Sequence, residues 1–294
     1  MYNGFSILIP TWNNLDYLKL CVRSIRQHSA YNHQIIIHVN DGSDGTLEWV
    51  KAEGLDYTHS EENIGVCLAM NSMRRLVKTE YIYFINDDMY VLPNWDVVLM
   101  EEIKSRPDNM YYLSGTMIQP HYKDDVGLCI NYGDSIQTFE EERLLKEYMN
   151  TPYNDWLGAT RPPSLVHRDI WDLVGGYSIE FSPGMYSDPD FTAKLLMVGV
   201  THMKGLGNSR VYHFETKTTG RIRKNDGSTQ FLLKWGISNS TMRKHITRQG
   251  QDWNLHDTPI NKAEIAKKKR FVRAKALWYI LKNGFGIAKD LGEI

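Results

Sequence analysis

Short apolar runs alternate with helical stretches over roughly the first 120 residues, and this alternation constrains the fold more than any other feature. Runs rich in β-branched and aromatic residues occupy 5–9, 34–39, 56–59 and 81–85, and helical segments occupy 15–28, 45–52 and 65–77. Strands that are apolar throughout are typical of a parallel sheet covered by helices on both faces. The sequence therefore predicts an α/β fold with a Rossmann-like, mostly parallel sheet flanked by helices.

The composition excludes several classes of protein. Of the 294 residues, 42% are hydrophobic and 23% are charged, which rules out a disordered or fibrous chain. The three cysteines lack CxxC spacing, so neither a disulfide framework nor a thiolate zinc site is expected, and a reducing compartment fits best. Cys21 and Cys67 fall in predicted helices, where we expect them to be buried.

The start of the chain gives an expectation about location. Residues 1–9 enter a strand without the basic and apolar segments of a secretory signal. No apolar stretch reaches the roughly 20 residues of a membrane-spanning helix. We therefore expect a cytoplasmic protein, with peripheral attachment to the inner face of the membrane as an alternative.

The C-terminal segment is basic. Residues 261–294 carry nine Lys and Arg against three Asp and Glu, although the whole chain has a net charge of −1. Helical spacing predicts an apolar stripe of Phe271, Ala274, Leu277, Trp278 and Leu281. This stripe either packs on the protein's own domain or binds an anionic membrane surface. No nucleic-acid partner is expected, because the rest of the chain is acidic and lacks a nucleic-acid motif.

Three polar loops follow predicted strands, and ligands of parallel sheets bind where the carboxyl ends of strands meet. The loops are 10–14, 40–45 and 86–89, and the last two contain carboxylates. Either loop alone is also explained as an ordinary turn. The adjacent Asp87 and Asp88 would repel unless they bind hydroxyls or a cation such as Mg²⁺ or Mn²⁺. A Walker-type ATPase and a dinucleotide site are not expected, because their glycine-rich motifs are missing.

Five segments, in order, resemble motifs of the family 2 glycosyltransferases, which have a GT-A nucleotide-sugar fold. Residues 6–13 (SILIPTWN) resemble SIIIPTYN, 39–46 (VNDGSDGT) resemble VDDGSxDGT, and 63–71 (NIGVCLAMN) resemble NxGxxxAxN. Residues 81–88 are similar to the strand that ends in the metal-binding DXD element. Residues 175–177 (GGY) and 187–191 (SDPDF) resemble the GGFD…EDxDL segment. The resemblance covers residues 5–240.

The resemblance implies a role for each matched position. Thr11 and Asp41 would line the base and ribose pocket, Asp87 would approach the ribose, and Asp88 would bind the metal. His213 matches a late histidine that joins the metal or the diphosphate; on the residues alone it is an ordinary core or strand histidine. The implied donor-binding set is Pro10, Thr11, Asn13, Asp41, Asn63, Gly65, Asn86 and Asp87, the implied metal ligands are Asp88 and His213, and the implied cofactor is Mn²⁺ or Mg²⁺.

Two departures from the family pattern affect the charge of the donor site. Asn86 stands at the first acid of the DXD element and removes one charge. Met70 stands where many members have an arginine, so neutralisation of the phosphates would have to come from elsewhere, for example Arg221 or Arg223.

The chemistry of glycosyl transfer indicates the base. An acceptor hydroxyl needs a carboxylate to take its proton, while a divalent ion stabilises the leaving diphosphate. One base and one metal indicate a single displacement with inversion, which the resemblance also implies. Asp188, at the family's base position, is preferred to Asp190, and only one of them can face the acceptor because helical residues i and i+2 face apart. Pro189 predicts that the helix starts late, with Asp188 near its cap.

An aromatic set in the second half of the chain has two interpretations. Tyr153, Trp156, Trp171 and Tyr177 either form a platform for the acceptor sugar or pack under a long loop. Residues 120–160 are the least similar to the family, and we expect them to contact the acceptor or form a lid.

The sequence therefore predicts an inverting, metal-dependent glycosyltransferase that uses a nucleotide-diphosphate sugar, UDP-linked by preference, and a glycan or lipid-linked saccharide acceptor. Residues 1–240 form the predicted GT-A domain, with a nucleotide-binding half at 1–118 and an acceptor half at 119–240. Residues 241–294 form a basic helical extension. The alternatives are a sugar nucleotidyltransferase, which would need a Gly-rich basic loop after the first strand, and a non-catalytic sugar-nucleotide-binding module.

Overall fold

The computed structural model describes residues 2–121, 126–216 and 225–283. The strands are β1 (Ser6–Trp12), β2 (Gln34–Asn40), β3 (Asp56–Ser60), β4 (Tyr81–Phe84), β5 (Met89–Val91), β6 (Tyr111–Gln119), β7 (Leu128–Cys129), β8 (Trp156–Leu157), β9 (Ser164–His167) and β10 (His202–His213). The helices are α1 (Leu15–His28), α2 (Thr46–Ala52), α3 (Gly65–Arg74), α4 (Trp95–Lys104), α5 (Glu141–Glu147), α6 (Arg168–Val174), α7 (Ser187–Met197), α8 (Gly227–Trp235), α9 (Asn239–Thr241) and α10 (Lys262–Asn283).

The main sheet path runs β3-β2-β1-β4-β9-β6-β10-β5. Its first four strands are parallel, with Leu8 of β1 opposite Ile36 of β2 and Phe84 of β4. β9 then lies antiparallel between β4 and β6, and β5 is antiparallel to β10. The predicted α/β sheet flanked by helices is confirmed, and antiparallel pairings join β9 and β5 to its mostly parallel strands.

Side chains of alternate strand positions enter two cores on opposite faces of the sheet. Ile7 and Ile9 of β1 join Cys21 of α1 in one core, whereas Leu8 joins Cys67 of α3 in the other. Both cysteines are fully buried, as expected. The alternation follows from the two-residue period of a strand, and it leaves the carboxyl ends of β1, β2 and β4 free to form a site.

Residues after 240 pack against the sheet before the chain enters α10. The backbone N–H of Leu157 in β8 donates to the Gln251 carbonyl oxygen over 2.8 Å, and the Gly250 N–H donates to the Leu157 oxygen over 2.9 Å. Met242 is fully buried in the core that contains Cys67. The division at residue 240 stays a prediction.

Helix α10 forms where the basic tail predicts a helix, but it does not bury the predicted stripe. Val272 is the one buried residue among those described in α10. Four members of the stripe are exposed by more than half, namely Phe271 at 73%, Leu277 at 59%, Trp278 at 56% and Leu281 at 76%. The interpretation in which this stripe packs on the domain is therefore wrong, because the helix contacts the domain through a different side. Among the described helices, none has the length and apolarity needed to cross a bilayer.

Candidate active site

A cavity of about 400 Å³ lies at the carboxyl ends of β1, β2 and β4. This volume is in the usual range for small-molecule sites. Of the eleven predicted site residues, nine line it: Pro10, Thr11, Asn63, Gly65, Asn86, Asp87, Asp88, Asp188 and His213. The ends of β1 and β2 and the loops after β3 and β4 therefore converge with the start of α7 and the end of β10.

Asn13 and Asp41 do not line this cavity, and they instead join two loops to each other. The Asn13 amide nitrogen donates to Asp41 Oδ2 over 2.7 Å, and the Gly42 N–H donates to Asn13 Oδ1 over 2.9 Å. Hydrogen bonds from Asn13 and Ser43 lower the pKa of the Asp41 carboxyl. The two residues hold the loop after β1 against the loop after β2.

Asn40, at the end of β2, connects the first strand to the loop before α3. Its amide nitrogen donates to the Thr11 carbonyl oxygen over 3.1 Å, and its Oδ1 accepts the Ile64 N–H over 2.9 Å. Sequence analysis assigned Asn40 no role, although it lies at the same sheet edge as the predicted residues. Its hydrogen bonds fix the wall of the cavity that contains Asn63.

Gly65 brings the start of α3 against the segment before α7. Its φ is +76°, and a Cβ at this position would lie 2.7 Å from backbone atoms of Pro183. The next N–H, that of Val66, donates to the Pro183 carbonyl oxygen over 2.8 Å. Only glycine combines this conformation with this close approach, which explains the glycine of the NxGxxxAxN motif.

The two acids after β4 are buried and have separate partners. Asp87 Oδ2 accepts the Thr11 hydroxyl over 2.7 Å, while Asp88 Oδ2 accepts both the N–H and the hydroxyl of Thr216, each over 2.8 Å. His213 Nε2 lies 3.3 Å from Asp88 Oδ1. Burial raises the pKa of Asp88, but His213 and Thr216 outweigh this effect, so the pKa of Asp88 is lowered and the ionised carboxylate is favoured.

Gln119 orients the His213 ring from the far side. Its amide nitrogen lies 2.9 Å from His213 Nδ1 and donates to Glu215 Oε1 over 3.0 Å. An amide NH₂ donates, so this contact uses Nδ1 as an acceptor and leaves the N–H of the ring on Nε2, toward Asp88. Glu215 and Thr216 line the cavity but were missed by sequence analysis, although the end of the strand at His213 would have indicated this edge.

Asp188 is the second residue of α7 and is partly buried where it lines the cavity. The Tyr177 hydroxyl donates to Asp188 Oδ1 over 2.9 Å. Burial raises the pKa of Asp188 to about 6, although the Tyr177 hydrogen bond and the Arg161 charge act in the opposite direction. A carboxyl with this pKa is ionised at neutral pH and is basic enough to accept a proton.

The predicted late start of α7 is wrong. The helix begins at Ser187, so Pro189 lies within its first turn, where a missing N–H costs no helical hydrogen bond. Tyr186 occupies the cap position with a φ of +70°, and Asp188 does not cap the helix. Its carboxyl is therefore not used by the helix end and is available to the cavity.

Asp190 faces away from the cavity, as the spacing of two residues predicts. Its Oδ1 accepts the Trp235 indole N–H over 2.8 Å and lies 2.8 Å from Lys234 Nζ. The Asp190 side chain is fully buried. Asp190 therefore fastens α7 to α8, and only Asp188 of the pair lines the cavity.

Asn71 and the two glycines before Tyr177 position the Tyr177 ring. The Tyr177 N–H donates to Asn71 Oδ1 over 2.9 Å, and the Asn71 amide donates to the Tyr177 carbonyl oxygen over 2.8 Å. A Cβ on Gly176 would lie 2.4 Å from Asn71 Oδ1. The ring stacks on Phe191 with centroids 4.9 Å apart. The motifs marked these positions, but the contact with Asp188 could not be predicted from them.

The structure also bears on the aromatic set, on the residues considered for phosphate neutralisation and on a metal site. Trp156, Trp171 and Tyr177 are each at most 3% exposed, so these three rings pack in the interior and do not form a platform. Met70 is buried in the core. Arg221 and Arg223 lie outside the described residues. No group of three or more His, Cys, Asp or Glu side chains arranged to bind a metal occurs within 2–121, 126–216 and 225–283.

Comparison with known proteins identifies the family. Residues 6–171 match glycosyl transferase family 2. Glycosyltransferase GlyG of Streptococcus pneumoniae is 27% identical over 245 residues, which cover 78% of this chain and 75% of GlyG. The uncharacterized protein y4gI of Sinorhizobium fredii is 23% identical over 295 residues, covering 94% of this chain, and this chain spans only 30% of the length of y4gI.

A solved structure supports the fold. The crystal structure of GalNAc-T7 with UDP, GalNAc and Mn²⁺ is similar over 98% of this chain and 58% of that chain, with a TM-score of 0.57 and 13% sequence identity. This likeness shows the GT-A fold. The family match covers more than half of the chain. The chain therefore belongs to glycosyl transferase family 2 and is a glycosyltransferase with a GT-A fold.

Proposed function

We propose that the protein transfers a sugar from a nucleotide-diphosphate donor, UDP-linked by preference, to a saccharide hydroxyl with inversion at the anomeric carbon. The observation that carries the proposal is the pair of acids in one cavity, Asp88 with a lowered pKa and Asp188 with a pKa raised to about 6. Environments that push two carboxyl pKa values apart assign them different roles. The Asp88 carboxylate stays ionised beside the donor, and the Asp188 carboxylate takes a proton from the acceptor.

The residues around Asp88 fit a divalent cation bound together with the donor. Asp88 supplies the carboxylate oxygen that Mg²⁺ and Mn²⁺ prefer, and His213 supplies a nitrogen 3.3 Å from it. Two protein ligands leave positions for diphosphate oxygens and water, as is usual for Mg²⁺ sites. The presence of UDP and Mn²⁺ in the GalNAc-T7 structure supports this assignment. A bound cation would stabilise the charge that develops on the leaving diphosphate.

His213 must change its proton position to bind a cation through Nε2. In the structure Nδ1 accepts from Gln119, which leaves the proton on Nε2. Rotation of the Gln119 amide by 180° would place its oxygen toward Nδ1, so that Nδ1–H could donate and Nε2 would be free. Gln119 thus sets the tautomer of His213 from behind, in the way outer partners orient metal-binding histidines.

For the donor we propose the wall formed by the loops after β1 and β4 and the start of α3. Thr11 holds Asp87 in place through a 2.7 Å hydrogen bond, so Asp87 can accept ribose hydroxyls with its remaining lone pairs. Asn63, Gly65, Pro10 and Asn86 also line the cavity, and we assign them to donor binding. Asn13 and Asp41 contribute by fixing the two loops.

For the acceptor we propose that Asp188 acts as the general base. The Tyr177 hydroxyl holds Oδ1, so we assign the acceptor to the other oxygen, Oδ2. Oδ2 would take the hydroxyl proton while the acceptor oxygen forms its bond to the anomeric carbon and the bond from that carbon to the diphosphate breaks. One displacement inverts the configuration, and Asp188 is the one carboxylate that α7 contributes to the described lining, which also contains Asp87, Asp88 and Glu215.

We further propose a glycan or lipid-linked saccharide as the acceptor, with α10 at the cytoplasmic face of an anionic membrane. The exposed Phe271, Leu277 and Trp278 on a helix rich in lysine and arginine support this attachment. A role in polysaccharide synthesis would agree with it.

A thermal-shift panel of nucleotide sugars with and without Mn²⁺ tests the donor proposal. A ligand that binds only the folded state at 100 times its Kd stabilises it by about 2.7 kcal/mol, which is readily measured. UDP-sugars should raise the melting temperature only when the cation is present. The UDP-sugar that does so should also release UDP on incubation with the protein and an acceptor. A shift without turnover on any acceptor would favour the non-catalytic binding module, and no shift with any nucleotide sugar would contradict the proposal.

A further inference from the structure

A second cavity, of about 300 Å³, lies between α10 and the segment that follows α8. Lysine side chains line it from both sides: Lys244 from the segment, and Lys268 and Lys275 from α10. Among the described residues, no carboxylate lines it. Lys268 lies 3.6 Å from Glu264 one turn away, whereas no ion pair forms with Lys244 or Lys275 among the described residues. We call this the basic cavity.

The basic cavity has the chemistry of a phosphate site. Like charges that converge on a cavity repel one another unless an anion neutralises them. The hydroxyl of Ser240 and the Ser238–Thr241 pair also line the cavity, so neutral donors stand beside the ammonium groups. A phosphate group offers several acceptor oxygens to such a set, and lysine binds it as a point charge.

The surface beside the basic cavity is apolar. Phe271 lines the cavity and is 73% exposed. Leu277, Trp278 and Leu281 continue along the exposed part of the same helix. A soluble anion would need only the charged residues. An adjacent row of exposed apolar and aromatic side chains fits a phosphate that is attached to acyl chains.

Helix α8 connects the basic cavity to the candidate active site. At its start, the backbone of Gly227 lies against the carbonyl oxygen of Met185, which lines the active-site cavity. Further along, Leu232 lines the basic cavity. Five residues of helix separate the two positions by only about 7.5 Å along the axis. A lipid held at the basic cavity would therefore place the membrane close to the acceptor side.

We propose that the basic cavity binds the phosphate of an anionic lipid headgroup, with Phe271 and Trp278 entering the membrane interface. The inference rests on the membrane attachment under the proposed function and extends it by assigning a headgroup site. On this proposal, membrane binding depends on two specific residues, Lys244 and Lys275, and not only on the diffuse positive charge of the tail. Removal of these two lysines should weaken membrane binding more than removal of two other lysines.

The test measures co-sedimentation of the full chain with phosphatidylcholine vesicles that contain either phosphatidic acid or oleate at matched surface charge. The variant Lys244→Gln/Lys275→Gln is compared with Lys267→Gln/Lys269→Gln, which removes two charges from α10 outside the cavity. Two basic residues near an anionic surface account for about 30-fold in binding by diffuse attraction alone, so the loss of binding by the cavity variant to phosphatidic acid vesicles should be well above that figure. Its loss should exceed that of the matched variant by at least tenfold, and oleate vesicles should bind more weakly than phosphatidic acid vesicles.

Three results would overturn the proposal. Equal losses in the two variants would show diffuse attraction, and equal binding of oleate vesicles would show that the phosphate is not recognised. Binding of inorganic phosphate by the cavity lysines without vesicle binding would show a soluble ligand. Turnover of the donor with a water-soluble acceptor is measured on the same samples and should be equal in both variants. Absent turnover with intact vesicle binding would refute the proposed function and leave the headgroup site standing.

Discussion

Removal of one hydroxyl should move the pH dependence of the reaction. In Tyr177→Phe the ring can keep its stacking on Phe191, but Asp188 Oδ1 loses its hydrogen bond. A hydrogen bond to a charged group contributes about 1.5–3 kcal/mol, and 1.36 kcal/mol corresponds to one pKa unit. Because the bond stabilises the ionised carboxylate, its loss should raise the pKa of Asp188 from about 6 by roughly one to two units.

The assay is the pH profile of kcat/KM for the donor, with a fixed acceptor and saturating Mn²⁺. The wild-type acidic limb should have its midpoint near pH 6, since the base must be ionised in the free enzyme. The Tyr177→Phe limb should lie near pH 7–8, so that kcat/KM falls about two- to tenfold at pH 7 and recovers at about pH 9. Tyr83→Phe is the matched control, because Tyr83 is buried in the other core and its hydroxyl has no hydrogen-bond partner among the described residues. An unmoved limb in Tyr177→Phe, or an equal shift in Tyr83→Phe, would refute this reasoning.

Three further predictions concern the acids of the site. Asp188→Asn should lower kcat by at least ~10²-fold with donor affinity retained. It should also stabilise the fold at pH 7.5 by up to about 3 kcal/mol, because folding raises the pKa of the Asp188 carboxyl from 3.8 to about 6 and the wild-type fold therefore loses stability as the pH rises through that window. The difference between the two proteins in chemical denaturation should become small near pH 4 and vanish below about pH 3. Asp190→Asn should lower the melting temperature, because the ion pair with Lys234 is lost, but it should keep kcat within about tenfold of the wild type. If kcat falls further in Asp190→Asn than in Asp188→Asn, Asp190 and not Asp188 is the base. Chelation should abolish sugar transfer, and added Mn²⁺ or Mg²⁺ should restore it. Asp88→Ala should lose activity and cation-dependent donor binding, while its circular dichroism spectrum stays unchanged. Full activity in excess chelator would exclude the assignment of a metal to this site.

Much of the nucleotide-binding half could be predicted because its signals are local. Apolar runs marked β1 to β4, and polar residues directly after them were placed at one edge by the geometry of parallel strands. The predicted bounds of helix α1, 15–28, match the structure, because the apolar positions at helical spacing and the polar residues at either end indicate the same helix. Nine of the eleven predicted site residues accordingly line one cavity.

The features that were missed depend on contacts between distant segments. The hydrogen bond from Tyr177 to Asp188 exists because Asn71, more than a hundred residues earlier, holds the Tyr177 backbone. Thr216 reaches Asp88 because β10 pairs with β5 beside it. Periodicity cannot reveal such pairings, since they arise from the order of strands in the sheet.

The orientation of α10 illustrates a different limit. Helical spacing identified a stripe that includes Phe271 and Leu281, but spacing alone does not say which side of a helix meets the domain. The structure buries Val272, which lies about 100° around the helix from Phe271. The apolar residues that a folded domain would normally cover are left exposed, and one of them, Phe271, lines the basic cavity that we propose as a headgroup site.

The stereochemistry of donor hydrolysis tests the central claim most directly, because it requires no identified acceptor. The UDP-sugar that gives the largest thermal shift, with its sugar α-linked to the diphosphate, is incubated with the protein and Mn²⁺, and the released sugar is followed by proton NMR before mutarotation. If water replaces the acceptor and Asp188 takes its proton in a single displacement, the β-anomer should appear first and Asp188→Asn should suppress its release. First appearance of the α-anomer, or unchanged release by Asp188→Asn, would contradict the inverting mechanism and the role of Asp188.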